Sequence, residues 1–178
     1  MEKFYEQAPE KKIGRLIYSM IEYDMGDAKR IQHFLKVHEL AAEIGRLEEL
    51  DAHTQFLVES AAVVHDIGIH KAEEKYGSSA GHYQEIEGPG EARILLSELG
   101  WPGDDIARIC YLVGHHHTYT GIEGTDLQIL IEADFLVNIF EDGTPASERE
   151  KVFEHIFKTE AGKNLFRFMY PADGSFSS

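Results

Sequence analysis

His38, the adjacent pair His65 and Asp66, and Asp134 are the side chains whose types and positions point to chemistry. Each falls on or continues an apolar helical stripe. In RIQHFLKVHELAAEIG the residues Ile31, Phe34, Leu35, Ala41, Ala42 and Gly45 form one face, and His38 lies on it. Leu57, Ala61 and Val64 form a second stripe that His65 continues, and Leu130, Ile131 and Val137 form a third with Asp134 in its middle. A carboxylate turned inward without a partner costs several kcal/mol or more. A divalent ion held by His38, His65, Asp66 and Asp134 solves that problem for all of them, with neutral imidazoles as ligands and the carboxylates balancing the charge. Taken singly, each residue has a plain structural reading, as a hydrogen-bonded core histidine or a helix-end aspartate. The joint arrangement is what points to a metal.

The elements that must position these residues are all helices. Apolar residues recur at three- and four-residue spacing, and strict alternation is hard to find, so an all-α single domain is predicted. Helices are predicted at about 10–23, 28–47, 52–66, 88–99, 104–116, 126–141, 147–158 and 160–169. Asp51 is placed to cap the third of these, Gly100 and Pro102 separate the fourth from the fifth, and SERE at Ser147 to Glu150 has the capping-box pattern. The glycine-rich stretch from Gly68 to Gly90 is predicted as a long loop with one short helical turn around Lys71 to Tyr76. The core spans about residues 28–141; 142–178 supply C-terminal helices and a short polar tail, ADGSFSS.

The order His38, then HD at 65–66 within AAVVHDIG, then Asp134 resembles the HD-domain superfamily of metal-dependent phosphohydrolases, over about residues 28 to 141. The resemblance implies an all-α helical bundle with one or two divalent metals at its centre and hydrolysis of phosphate esters or related bonds in nucleotides. Some members instead use a di-iron site to oxidise substrates. Members with two metals carry a paired histidine near the position of His115, His116 and His117, and of these His115 and His116 are preferred as ligands here. Where those members have a further histidine before a helix start, this chain has Glu87 in EIEGPGEARILL, an oxygen donor able to serve a transition metal. Whether one ion or two bind is left open, as is the choice among Mn, Fe, Co, Ni, Zn and Mg. The expected site is therefore His38, His65, Asp66, Asp134, His115, His116 and Glu87, with Asp66 the central catalytic ligand. Lys71 stands two residues beyond the lysine that relatives keep in HDIGK, and reads as solvated. His70, His82, Arg93 and Arg108 are weaker candidates for substrate contact, and Asn138 a candidate to support Asp134.

The chain has 178 residues, 32 acidic and 17 basic side chains and a formal net charge of −15, a field that repels nucleic-acid polymers and anionic membranes. Cys110 is the only cysteine, and no segment reads as a secretory signal or reaches the roughly 18 apolar residues of a membrane span. A cytoplasmic protein is expected. Its expected partner is a small phosphorylated substrate, and a homodimer is plausible through the apolar stretch NLFRFMY. The leading expectation is a phosphohydrolase in which the ion acidifies water and polarises a phosphoryl oxygen. The alternatives are a di-iron oxygenase of the same fold and a metal-stabilised nucleotide-binding module without turnover.

Overall fold

Nine helices make up the secondary structure of residues 9–171, the part of the chain that the computed structural model describes. They are α1 (Pro9–Tyr23), α2 (Ala28–Leu47), α3 (Ala52–Val64), α4 (Ile69–Tyr76), α5 (Gly81–Glu98), α6 (Gly103–Val113), α7 (Thr125–Glu141), α8 (Ala146–Ile156) and α9 (Glu160–Met169). The polar tail at 172–178 lies outside the described residues. Among those described, no helix is long and apolar enough to cross a membrane.

Local chemistry sets several of the boundaries. Asp51 accepts from the amides of His53 and Thr54 at 3.0 and 3.1 Å and starts α3, Asp27 accepts from Arg30 N at 3.1 Å in α2, and Thr159 caps α9 through Gly162 N at 2.9 Å. Gly100, with φ of +78°, and Pro102 separate α5 from α6. At α8 the capping box does not form: Pro145 occupies the N-cap and the helix begins at Ala146, which places Ser147 inside the first turn.

The helix α7 runs through the middle of the molecule and is buried on nearly all sides. The helix α2 packs on both α3 and α7, α3 also packs on α1 and α6, and α5 lies against α4 and α6. Leu16, Phe34, Val37, Ile44, Val58, Ile109, Leu130 and Leu136 are among the fully or almost fully buried residues that fill the space between them. The C-terminal helices are fastened by a buried carboxylate. Glu132 of α7 accepts from Gln128 Nε2 at 2.7 Å, from the amides of Lys158 and Thr159 at 2.6 and 3.0 Å, and from the Thr159 hydroxyl. Gly162 lies so close that any side chain there would overlap Glu132 Oε2.

The stretch from Gly68 to Gly90, expected as a loop, is mostly helix: α4 covers Ile69–Tyr76 and α5 begins at Gly81, ahead of Gly88, Pro89 and Gly90. The glycines are there for contact. A Cβ on Gly68 would stand 2.7 Å from Gly88 N and 2.8 Å from Gln84 O, and one on Gly88 would stand 2.7 Å from Val113 Cγ1. Backbone therefore meets backbone where α5 crosses the turn after α3, and that packing overrides the poor helix propensity of the segment. Substituting Gly68→Ala forces two main chains apart, and a loss of about 1–3 kcal/mol in chemical denaturation is expected.

Candidate metal centre

The sequence HDIG at 65–68 occupies the turn between α3 and α4, closed by Ile67 N to Val64 O at 3.1 Å and Ile69 N to Asp66 O at 3.0 Å. This turn aims His65 and Asp66 at the gap between α2 and α7. Asp134 projects into the same gap from α7, and His33, one residue before Phe34, enters it from α2. Around this point the Nε2 atoms of His33 and His65 are 3.2 Å apart, and Asp134 Oδ1 is 3.2 and 3.6 Å from them. Asp66 Oδ2 lies 3.5 Å from each of the two nitrogens. With metal–ligand bonds of about 2.1 Å, neighbouring donors stand about 3.0 Å apart in an octahedral shell and about 3.4 Å in a tetrahedral one. The spacing fits a single divalent ion.

The chemistry of the donors fits as well. His65 Nδ1 donates to Ala62 O at 2.8 Å, and His33 Nδ1 faces Glu141 Oε2 at 3.1 Å. Each contact places a hydrogen on Nδ1 and leaves Nε2 with its lone pair toward the gap, the tautomer that metal-binding histidines use. Asn138 Nδ2 donates to Asp134 Oδ1 at 2.9 Å and steadies that carboxylate.

Without an ion, protons do part of the work. Burial would push His33 down, yet its hydrogen bond to Asp134 and the charge of Asp66 lift it to about 9. Burial likewise opposes charge on His65, but Asp66 and Asp134 raise it. The same burial acts on Asp66 and Asp134, and the neighbouring histidines hold both carboxylates well below the usual range.

A second group of donors adjoins the first. Asp66 Oδ1 lies 3.5 Å from His116 Nε2, and ligand atoms of Asp66, His116 and His117 all fall within 4.8 Å of one another. His116 is fully buried, its Nδ1 donates to Val113 O at 2.8 Å, and the Nε2 atoms of both His116 and His117 are buried without a hydrogen-bond partner. Asp66 thus presents one oxygen to each group. Its side chain is 25% exposed, against 0% for His65 and His116, so it faces the opening.

The structure brings together His65, Asp66, Asp134 and His116 of the residues singled out in the sequence, and three others require correction. His38 is 3.6 Å from Glu59 of α3 and does not meet the cluster; His33 holds that position. Because α2 is buried against both α3 and α7, it carries two inward seams, and His38 faces the first while His33 faces the second. His33, Val37, Ala41 and Ile44 follow at helical spacing, a stripe as regular as the one that carries His38. His115 turns back along α6, stacked on Tyr111 at 4.0 Å with Nδ1 on Tyr111 O at 2.7 Å, and His117 takes its place in the site. All three histidines lie in the turn that follows the end of α6 at Gly114, where helical phase no longer tells which of them faces the site. Glu87 is bound to Lys75 Nζ and the Tyr76 hydroxyl, both at 2.7 Å. Glu85, two residues earlier and on another face of α5, is the acid that reaches the triplet, accepting from His117 N at 3.0 Å and the Thr118 hydroxyl at 2.9 Å.

Of the weaker candidates, Lys71 is paired with Glu91 and Arg108 with Asp126, while His82 and Arg93 are exposed. His70 lies between Asp24 Oδ1 at 2.8 Å and Arg30 Nη1 at 3.1 Å. A cleft of about 270 Å³ opens onto His33 and Asp66, with Lys29, Arg30, Ser79 and Asn138 in its walls. Lys29 makes no ion pair among the described residues, whereas Arg30 is held by Glu73 at 2.6 Å. Another cavity, of about 300 Å³, lies at α8 and α9, where Arg149 and Arg167 rest on aromatic rings and none of the clustered donors lines the wall.

No family model matches the sequence, and none of the curated proteins does. A solved structure shares its fold: the crystal structure of a predicted HD superfamily hydrolase from an uncultured Thermotogales bacterium aligns with a TM-score of 0.61 at 24% identity, covering 90% of this chain and 84% of that one. The chain therefore has the all-α HD-type fold to which its AAVVHDIG motif pointed.

Two measurements follow from the geometry. His33→Ala removes a ligand and should abolish tight binding of Mn²⁺, whereas His38→Ala should leave it intact; dialysis followed by metal analysis separates the two. In the metal-free protein, His33 is raised from 6.5 to about 9, so the stability it contributes is fully present below about pH 6.5 and is lost as pH rises towards 9. Thermal melts of the chelated protein should decline across that window, and saturating metal should reverse the trend, because the ion displaces the proton.

Proposed function

We propose that this chain is a member of the HD superfamily and a metal-dependent phosphohydrolase acting on a small phosphorylated metabolite, with nucleotides as the leading class. The observation that carries the reading is the convergence of His33, His65, Asp66 and Asp134 at ligand spacing, next to a cleft that reaches His33 and Asp66 and has Lys29 and Arg30 in its wall alongside Asp27, Glu141 and Asp142. When bound there, a divalent ion supplies Lewis acidity toward a phosphoryl oxygen and makes water more acidic.

The residues supply the rest. Asp66 is the partly exposed ligand and joins the two groups of donors, so it is assigned the central role. Lys29, which makes no ion pair among the described residues, lines the cleft and is suited to a phosphate, while Ser79 and Asn138 offer neutral polar contacts. A cleft of about 270 Å³ suits a small molecule. The net charge of −15 argues against nucleic-acid polymers and anionic membranes as partners. Cytoplasmic location and a homodimer belong to the same proposal.

The second donor group, with Asp66 shared between the two, also supports a di-iron oxygenase reading. Oxygen-dependent turnover with tightly held iron would select it. Stabilisation by nucleotides with no product over hours would select a sensor instead.

The deciding experiment uses protein purified without chelators, analysed for metal and assayed on a panel of phosphorylated metabolites with added Mn²⁺, Ni²⁺, Fe²⁺ or Mg²⁺. Phosphate release by the parent is expected, with loss of both metal and activity in Asp66→Ala. Retention of both in that variant would sink the hydrolase reading.

A further inference from the structure

The histidines of the centre differ in what lies behind them. His65 and His116 place Nδ1 2.8 Å from main-chain carbonyls, and His33 places Nδ1 3.1 Å from a carboxylate. Those oxygens only accept, so they fix the hydrogen on Nδ1. His117 Nδ1 instead lies 3.2 Å from the hydroxyl of Tyr119, a group that can accept or donate. The rest of His117 is held independently. Its amide donates to Glu85 Oε1, and its ring lies over Gly81, where a Cβ would come within 2.6 Å of His117 Cγ. Its Nε2 is buried without a partner beside Asp66 and His116.

We propose that Tyr119 is a positioning residue that makes His117 a ligand for a second divalent transition-metal ion: the hydroxyl accepts Nδ1–H and leaves the Nε2 lone pair to join Asp66 and His116. The inference rests on the reading of the cluster as a metal centre and goes beyond it by assigning the control of the second ion to a residue outside the ligand set. Two imidazoles and a carboxylate suit Mn²⁺, Fe²⁺, Co²⁺, Ni²⁺ or Zn²⁺ better than Mg²⁺ or Ca²⁺. If the hydroxyl donated to Nδ1, Nε2 would carry a hydrogen aimed at the ion's position and His117 could not bind it.

Tyr119→Phe isolates the hydroxyl, because the ring keeps its edge contact with Phe135 at 5.1 Å. Mn²⁺ binding to the intact chain is measured by equilibrium dialysis, with a thermal melt of the metal-free protein alongside. The parent should bind two ions. In Tyr119→Phe the second should weaken by roughly ten- to a hundredfold, the scale for losing a group that orients a ligand, with the first ion and the melting temperature unchanged. His117→Ala should lose the same ion. Unaltered binding of both ions in Tyr119→Phe overturns the inference, as does equal weakening of both, or a parent that takes one ion only. The hydrolase reading is judged separately on product formation: one ion with turnover would sink the role of Tyr119 alone, and two ions without turnover would sink the hydrolase alone.

Discussion

Two imidazole nitrogens lie 3.2 Å apart in the middle of a helical bundle, with an oxygen of Asp134 and one of Asp66 each 3.2 to 3.6 Å from both, and that arrangement favours positive charge between them. In a medium less polar than water, two carboxylates held around the same pair of imidazoles repel one another more than they would in water. A proton on His33 answers part of the demand, and a divalent ion answers all of it. The surrounding hydrogen bonds are consistent with the second solution, since Ala62 O and Glu141 hold the rings from behind and Asn138 holds Asp134. These contacts orient the rings before any cation arrives, which lowers the reorganisation needed for binding.

The bundle achieves this convergence with few segments. The turn after α3, the adjacent seam of α2 and the centre of α7 give the first set of donors; the turn after α6, with Asp66 shared, gives the second. The apolar run AAVV gives way to His65 and Asp66 where α3 ends; there His65 meets His33 of α2 and Asp134 of α7, and Asp66 meets the imidazoles of His33 and His65. Gly68 then admits the backbone of α5 against the turn, and α5 in its course carries Glu85 to the main chain of His117. One glycine contact thus sets the position of an acid that braces the second donor group.

Much of this was legible in the sequence. Helical periodicity identifies the all-α fold, and the pair His65–Asp66 and the inward carboxylate Asp134 stand out because charged groups are rare on apolar stripes. The partner on α2 was harder to read. A helix buried on two sides presents two valid stripes, and periodicity gives no reason to prefer the one with His33 over the one with His38; only the packing on α7 distinguishes them. His115 and His117 depend on the path of the turn after α6, and Glu85 and Glu87 on the phase of a helix whose start was concealed by its glycines and proline. In each case the missing knowledge was a tertiary contact, to which local propensity is blind.

The helix α7 carries two inward acids of opposite temperament. Asp134 faces the imidazoles of His33 and His65, whereas Glu132, fully buried and turned to another face, has no cationic partner among the described residues and is satisfied by amides and a hydroxyl supplied largely from the α8–α9 junction. The last two helices are therefore not an appendage to the unit formed by residues 28–141. A shortened chain that stops before Lys158 would take three of the four donors from a carboxylate in the interior, two residues from Asp134.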